Sequence, residues 1–239
     1  MSKIKKILLK ILGPVVLSKS KITSNERLSP HFQFITIKGN SLKKTQWIPG
    51  QKIQIQLEHD EMRSYTPSSW NSETGEMQTL VYMHGKGPGA LWARDAKVNE
   101  PVVVLGPKGS LKLEDTTHTV LFFGDETTFG LAHALQKYTE NKKYFFFFES
   151  NDTHEAEMIL KKFDLDQALI YSLNQYDQVS KSIAEIFKQN PGAQIVLSGK
   201  QQSIVAIREK LYSMQVPKEQ ISKKVYWGWK DDPNGKLRS

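Results

Sequence analysis

The sequence predicts an antiparallel six-stranded β-barrel followed by a doubly wound α/β domain with a parallel sheet. Three observations carry that expectation. The first half of the 239-residue chain is a series of short stretches rich in β-branched and aromatic residues, each closed by a turn signal. The second half alternates such stretches with helical ones. The length suits one large domain or two small ones, at roughly 150 residues per domain.

The strands of the first half are residues 31–38 (HFQFITIK), 52–57 (KIQIQL), 77–84 (MQTLVYMH) and 101–105 (PVVVL). KIQIQL alternates strictly, the period of a strand with one buried face. Pro49-Gly50, Asn71 to Gly75 and Gly106-Pro107-Lys108-Gly109 are the turns between them. One helix, residues 89–96, interrupts the series and is opened by Gly87-Pro88. Strands so spaced suit a small barrel. After Thr116 the pattern changes. Buried-strand runs at 119–123 (TVLFF), 144–148 (YFFFF), 168–172 and 193–197 are each followed by a helix, over 128–138, 154–163, 179–189 and 201–214. Alternation of this kind implies a parallel sheet covered on both faces. The expected divisions are a basic amino-terminal segment (1–12), the barrel (13–115), the α/β domain (116–227) and a basic tail (228–239).

Composition narrows the chemistry. Hydrophobic residues at 38% and charged residues at 24% suit a packed globular chain rather than a disordered one. The absence of cysteine excludes disulfides, a thiolate nucleophile and cysteine-ligated zinc or iron–sulfur centres. It is compatible with the cytoplasm, the expected location. The six histidines lie far apart, so no metal site is expected. A net charge of +8 favours anionic partners. No stripe of cations interleaved with exposed aromatics points to nucleic acid. Lys3 to Leu12 is too short to span a bilayer, and Lys10 interrupts its apolar run. Two readings stay open for it: a basic amphipathic helix in weak contact with anionic lipid, or a short helix packed on the following domain.

Arg63-Ser64-Tyr65-Thr66 is the first segment suggesting a ligand. A flavin dinucleotide needs a cation for its pyrophosphate, best a guanidinium fork, and an apolar or aromatic surface for its ring. Strand alternation puts Arg63 and Tyr65 on one face and Ser64 and Thr66 on the other. Arg63 is thereby placed to reach phosphate, Tyr65 to pack on the ribityl chain or ring, and Thr66 to approach N5. An exposed strand with a solvated arginine is the plain alternative. The second segment, His84-Gly85-Lys86-Gly87-Pro88-Gly89-Ala90-Leu91-Trp92-Ala93, joins a strand to a helix through a glycine-rich turn. The backbone at such a helix start attracts anions. An ordinary turn explains the same glycines, and Trp92 reads as core.

Taken in order, RSYT, HGKGPGALWA, Gly106-Pro107-Lys108-Gly109-Ser110 and Gly124-Asp125-Glu126-Thr127 resemble the siderophore-interacting proteins, a branch of the ferredoxin-reductase-like flavoproteins. Pro49-Gly50-Gln51 fits the wider superfamily, and Lys224-Val225-Tyr226-Trp227 resembles the family's closing tyrosine–tryptophan pair. The resemblance implies noncovalently bound FAD and reduction of an anionic ferric siderophore, with NADH, NADPH or a ferredoxin as electron donor. It implies that Arg63, Ser64, Tyr65 and Thr66 hold FAD, with Met83 and His84 lining the flavin. Gly87, Pro88, Gly89 and Ala90 would cradle the pyrophosphate, and Thr127 would approach from the second domain. Two departures stand out: Ser68 replaces a further arginine, and Ala90 replaces a serine of the phosphate turn. FAD would be held less tightly unless Ser68, Ser69 or Lys86 compensates.

In the second domain Gly124, Asp125 and Glu126 follow the first strand, where open parallel sheets place ligands. The resemblance makes this the nicotinamide-facing corner; capping of the next helix is the plain alternative. Glu149, ending the second strand, suits a ribose diol better than a 2′-phosphate, and Asp152 and Glu155 point the same way, which tilts the expectation to NADH. Lys223, Lys224, Trp227, Trp229 and Lys230 would attract an anionic ferric chelate if they border the flavin; ordinary surface and core explain them equally. Two rival functions remain: a flavin-dependent reductase serving another electron acceptor, and a non-catalytic flavin- or siderophore-binding protein.

Overall fold

The computed structural model describes residues 17–57, 61–85, 87–109, 111, 113 and 117–228. The amino-terminal basic segment, Lys86, Trp229 and Lys230 lie outside them. The chain divides between residues 110 and 111 into two compact units.

Seven antiparallel strands form the first unit: β1 (Leu17–Arg27), β2 (Phe32–Lys38), β3 (Lys52–Gln56), β4 (Met62–Tyr65), β5 (Ser69–Asn71), β6 (Glu76–Tyr82) and β7 (Pro101–Lys108), in the order β4-β3-β7-β1-β2-β6-β5. The expected count was six. The extra strand arises where residues 62–71 change partners. β4 pairs with β3, and β5 pairs with β6. Pro67 between them has no N–H to donate to a ladder, so pairing breaks there. The sheet is barrel-like without hydrogen-bonded closure: among the described residues its edge strands β4 and β5 do not pair with each other.

Alternation builds the barrel core. In β3, Ile53 and Ile55 are fully buried while their neighbours are half-buried. They pack with Ile22, Ile35, Ile37 and Val104. The helix α1 (Pro88–Asp95) lies against this core through Ala93, Trp92 and Ala90.

The second unit is a five-stranded parallel sheet of β8 (Thr119–Gly124), β9 (Lys143–Ser150), β10 (Leu169–Ser172), β11 (Gln194–Lys200) and β12 (Ile221–Trp227), in the order β10-β9-β8-β11-β12. Its helices are α2 (Phe129–Tyr138), α3 (Thr153–Lys162), α4 (Tyr176–Gln189) and α5 (Gln201–Ser213). Leu121, Phe123, Phe147, Ile195 and Leu197 pack with Val179 and Ile183 of α4 and Ile204 and Ile207 of α5. The alternate residues point the other way, where Phe129 of α2 meets Phe148 edge-on at 4.7 Å. The strand order reverses between β8 and β11, which puts the topological switch point beyond Gly124 and Lys200. Among the described residues no helix is long and apolar enough to cross a membrane.

Candidate functional site

In the first unit the two sequence segments meet. Tyr65 of β4 donates its hydroxyl to the Gly89 carbonyl of α1 at 3.3 Å, and its ring lies 5.4 Å from that of Trp92. Burial pushes the Tyr65 phenol above its ordinary range, the Arg63 charge acting the other way. The approach is close: a Cβ on Gly89 would sit 2.9 Å from the Tyr65 hydroxyl and 3.5 Å from Arg63 Cγ. A side chain there would displace the Tyr65 hydroxyl. The register sets Arg63 opposite Ile55 and Tyr65 opposite Ile53, with Ser64 opposite Gln54 on the other face. Arg63 donates to Glu61 at 2.9 Å and to the Met62 carbonyl at 3.0 Å. Its guanidinium therefore stands beside the helix start, but already partnered by a carboxylate.

The other barrel expectations divide. Gly87 is the N-cap of α1 and no side chain caps the helix. Pro88 has no N–H, and the Ala90 N–H donates to the Gly87 carbonyl at 3.0 Å. The backbone donors of the cradle thus reduce to Gly87 and Gly89, while Pro88 and Ala90 supply shape. Met83 is buried, its side chain packed in the barrel core. His84 is exposed, with its ring 6.2 Å from Tyr82. Thr66 is half-buried and its carbonyl accepts from Thr79 Oγ1 at 3.4 Å. Ser68 and Ser69 do not replace the missing arginine, because their hydroxyls donate to the Gln78 carbonyl (3.2 Å) and to Gln78 Oε1 (2.7 Å). A groove of about 990 Å³ opens beside the helix, walled by Leu57, Pro88, Leu91, Trp92 and Val98 with Glu61 at its edge.

These residues fit a flavin dinucleotide. A guanidinium, an uncapped helix start and an open turn, in which a Cβ on Gly85 or Gly87 would meet nothing within 4 Å, lie together in one unit.

The pairing of two lysines went unnoticed in the sequence. Lys52 and Lys108 stand directly opposite on β3 and β7. Lys108 donates to Gln54 at 2.6 Å, and burial, then the Lys52 charge, lowers its pKa. Like charges paired across strands repel, which marks the place as suited to an anion. Sequence separation hid the pair, since only the β3–β7 register joins them.

In the second unit Asp125 takes over the switch point. Its carboxylate accepts from the Thr127 N–H (2.9 Å), the Thr127 hydroxyl, the Lys200 N–H (2.7 Å) and the Trp227 indole N–H (2.8 Å). One side chain therefore ties together the ends of β8, β11 and β12. Thr127 is committed to Asp125, so its hydroxyl is not free to donate to a flavin. Glu126 is buried and accepts from Ser150 Oγ and the Asn151 N–H at 3.0 and 2.7 Å. Gly124 packs tightly on Thr128. Glu149 is 2% exposed, and its Oε1 is buried without a hydrogen-bond partner. Asp152 caps α3 through the Glu155 N–H at 2.9 Å, and Glu155 is buried. Trp227 is anchored by Asp125, with Lys200 Nζ 5.4 Å above its ring. Lys224 Nζ lies 5.9 Å from the Tyr226 ring, and Lys223 is exposed.

Burial pushes Asp125 up to about 6, against the hydrogen bonds from Thr127 and Trp227. Burial pushes Glu149 up to about 7, with Ser203 and Lys200 opposing and Asp125 and Glu126 adding to the rise. A carboxyl whose folded pKa is raised favours folding most at low pH, where it is neutral. That contribution is lost as pH rises from the unfolded values near 4 through about 6 and 7. Glu149→Gln is expected to stabilise the chain at pH 8 by on the order of 2 kcal/mol relative to the parent, and to give no gain at pH 4.5. Urea midpoints across that range would decide it; a constant gain at all pH values contradicts the assignment.

The fold is ferredoxin-reductase-like. Over 90% of its length the chain superposes on the ferredoxin reductase of carbazole 1,9a-dioxygenase, covering 71% of that chain at TM-score 0.69 and 17% identity. It covers 88% of itself and 96% of the ferredoxin-NADP+ reductase from Plasmodium falciparum at TM-score 0.66 and 16% identity. Within that class, residues 58–111 match the family model of the siderophore-interacting FAD-binding domain. A siderophore-interacting protein from Acinetobacter baumannii aligns over 92% of this chain and 94% of its own at TM-score 0.71 and 18% identity. No curated protein matches the sequence.

Proposed function

We propose that the protein is an FAD-dependent reductase of ferric siderophores, taking electrons from NADH, NADPH or a ferredoxin. The observation that carries the reading is the meeting of β4 with the start of α1: Tyr65 and Arg63 abut Gly89 inside the segment that matches the FAD-binding family model.

Arg63 and the backbone of Gly87 and Gly89 bind the pyrophosphate. The groove continuing from Pro88 takes the adenosine half between apolar walls. When bound, FAD supplies the redox chemistry, accepting a hydride and passing electrons singly to ferric iron. The chain itself positions and attracts; electron transfer of this kind needs no catalytic acid, base or nucleophile. Lys52 and Lys108 draw the anionic ferric chelate to the barrel. The nicotinamide nucleotide is received at the carboxyl edge of the parallel sheet.

The test is stopped-flow reduction of the FAD-loaded chain by NADH and NADPH, then mixing with ferric chelates of differing charge. Chelate-dependent reoxidation is the expected result. A rate no faster than in chelate-free buffer sinks the proposal, and turnover confined to a ferredoxin acceptor would favour the rival reductase. In a Lys52→Ala/Lys108→Ala variant, kcat/KM for anionic chelates should fall about 5- to 10-fold at low salt and recover toward parity at high salt. A neutral chelate should be unaffected.

A further inference from the structure

Asn25 lies on β1, the most polar strand of the barrel, yet its side chain turns inward. A bulge between Ile22 and Ser24 inserts one residue against β2. Beyond it the alternation is reversed, so Ile22 (opposite Ile37) and Asn25 (opposite Ile35) share the inner face although three positions apart. There Asn25 Nδ2 donates to the carbonyls of Ala93 at 3.0 Å and Ala96 at 2.7 Å. These belong to the last turn of α1 and its C-cap, where helix carbonyls have no internal partner. At the opposite end of the helix the Tyr65 hydroxyl holds the Gly89 carbonyl.

Two side chains from different strands therefore clamp α1 at both ends. Such a clamp sets the direction of the helix axis as well as its place. That direction decides where the first-turn N–H groups and the positive end of the dipole point. Asn25 Oδ1 is buried without a hydrogen-bond partner. The carboxamide is thus held for its N–H donors alone, an arrangement that packing by an apolar residue would not need.

We infer that Asn25 is a positioning residue for the dinucleotide's phosphates, acting through α1 without touching the ligand. The inference rests on the FAD reading above. It predicts a split between two ligands, since riboflavin carries the ring but no phosphate.

The experiment titrates FAD and riboflavin into the flavin-stripped full-length chain by fluorescence quenching, for the parent, Asn25→Ala and Asn25→Asp. The aspartate keeps the shape but sets a carboxylate against two carbonyls. Both variants should bind FAD about tenfold more weakly, Asn25→Asp the more so, with riboflavin affinity within about twofold of the parent. Unchanged FAD affinity in both variants overturns the inference. So does an equal loss for FAD and riboflavin, which would mean that Asn25 merely supports the barrel. Parent protein that takes up no FAD overturns the flavin reading, and this inference with it.

Discussion

Gly199→Ala is expected to destabilise the α/β unit by about 4 kcal/mol. Gly199 has φ +100°, and a Cβ built on it would fall 2.5 Å from Asp125 Oδ2. Strained backbone of that kind costs a side-chain-bearing residue about 1–3 kcal/mol. Overfilling a packed site costs about 1–3 kcal/mol more. The carboxylate cannot swing aside cheaply, because it is held by the Lys200 N–H, the Trp227 indole and Thr127. Moving it would leave buried donors unmatched. Urea unfolding followed by far-ultraviolet circular dichroism should show an earlier transition, accompanied by a change in tryptophan emission as the Trp227 bond is disturbed. FAD affinity should stay close to that of the parent, since Gly199 lies outside the barrel unit. An unchanged midpoint would mean that the end of β11 yields more easily than its hydrogen bonds suggest.

Arg63→Ala should weaken FAD binding about 10- to 100-fold and leave riboflavin binding nearly unchanged. A charge-assisted hydrogen bond is worth about 1.5–3 kcal/mol, which sets the range. Ser68 and Ser69 are bonded to Gln78, so neither substitutes for the lost guanidinium. The Glu61 ion pair adds a counter-test. Glu61 competes with phosphate for Arg63 at 2.9 Å across a partly exposed pair. Exposed pairs are worth about 0–1 kcal/mol, so Glu61→Gln should tighten FAD by no more than about fivefold. If Arg63→Ala binds FAD as the parent does, the backbone cradle holds the phosphates alone.

Much of the architecture was legible because its signals are local. KIQIQ alternates, and the buried strands TVLFF and YFFFF are unmistakable beside their helices. β1 was not legible. Its sequence LSKSKITSNER is mostly polar, and among its described side chains the one large buried one is Ile22. It becomes a strand because β2 and β7 flank it on both sides. β12 was likewise not read as a strand. Its lysines and aromatics gave no alternating pattern, yet it pairs with β11.

The sites divide along the same line. The segments at 63–66 and 84–93 were visible as motifs, and the structure brings them together through Tyr65 and Gly89. Met83 and Thr127 were given ligand-facing roles by resemblance and Glu149 by its strand-end position; Met83 and Glu149 are buried, and Thr127 is bonded to Asp125. Strand-end position says that a residue is near a binding edge, not which way its side chain is directed.

The sequence by itself therefore determined the two-part fold through short-range pattern, while its motifs pointed by resemblance to the ferredoxin-reductase-like fold and to two segments expected to hold phosphate. Only the tertiary structure decided that Arg63 is already paired, that Lys52 faces Lys108, that Asn25 clamps α1 and that Asp125 ties three strand ends together. Apart from the local Arg63–Glu61 pair, each depends on register and bulges between strands far apart in the chain, where a shift of one residue reverses the face on which a side chain lies.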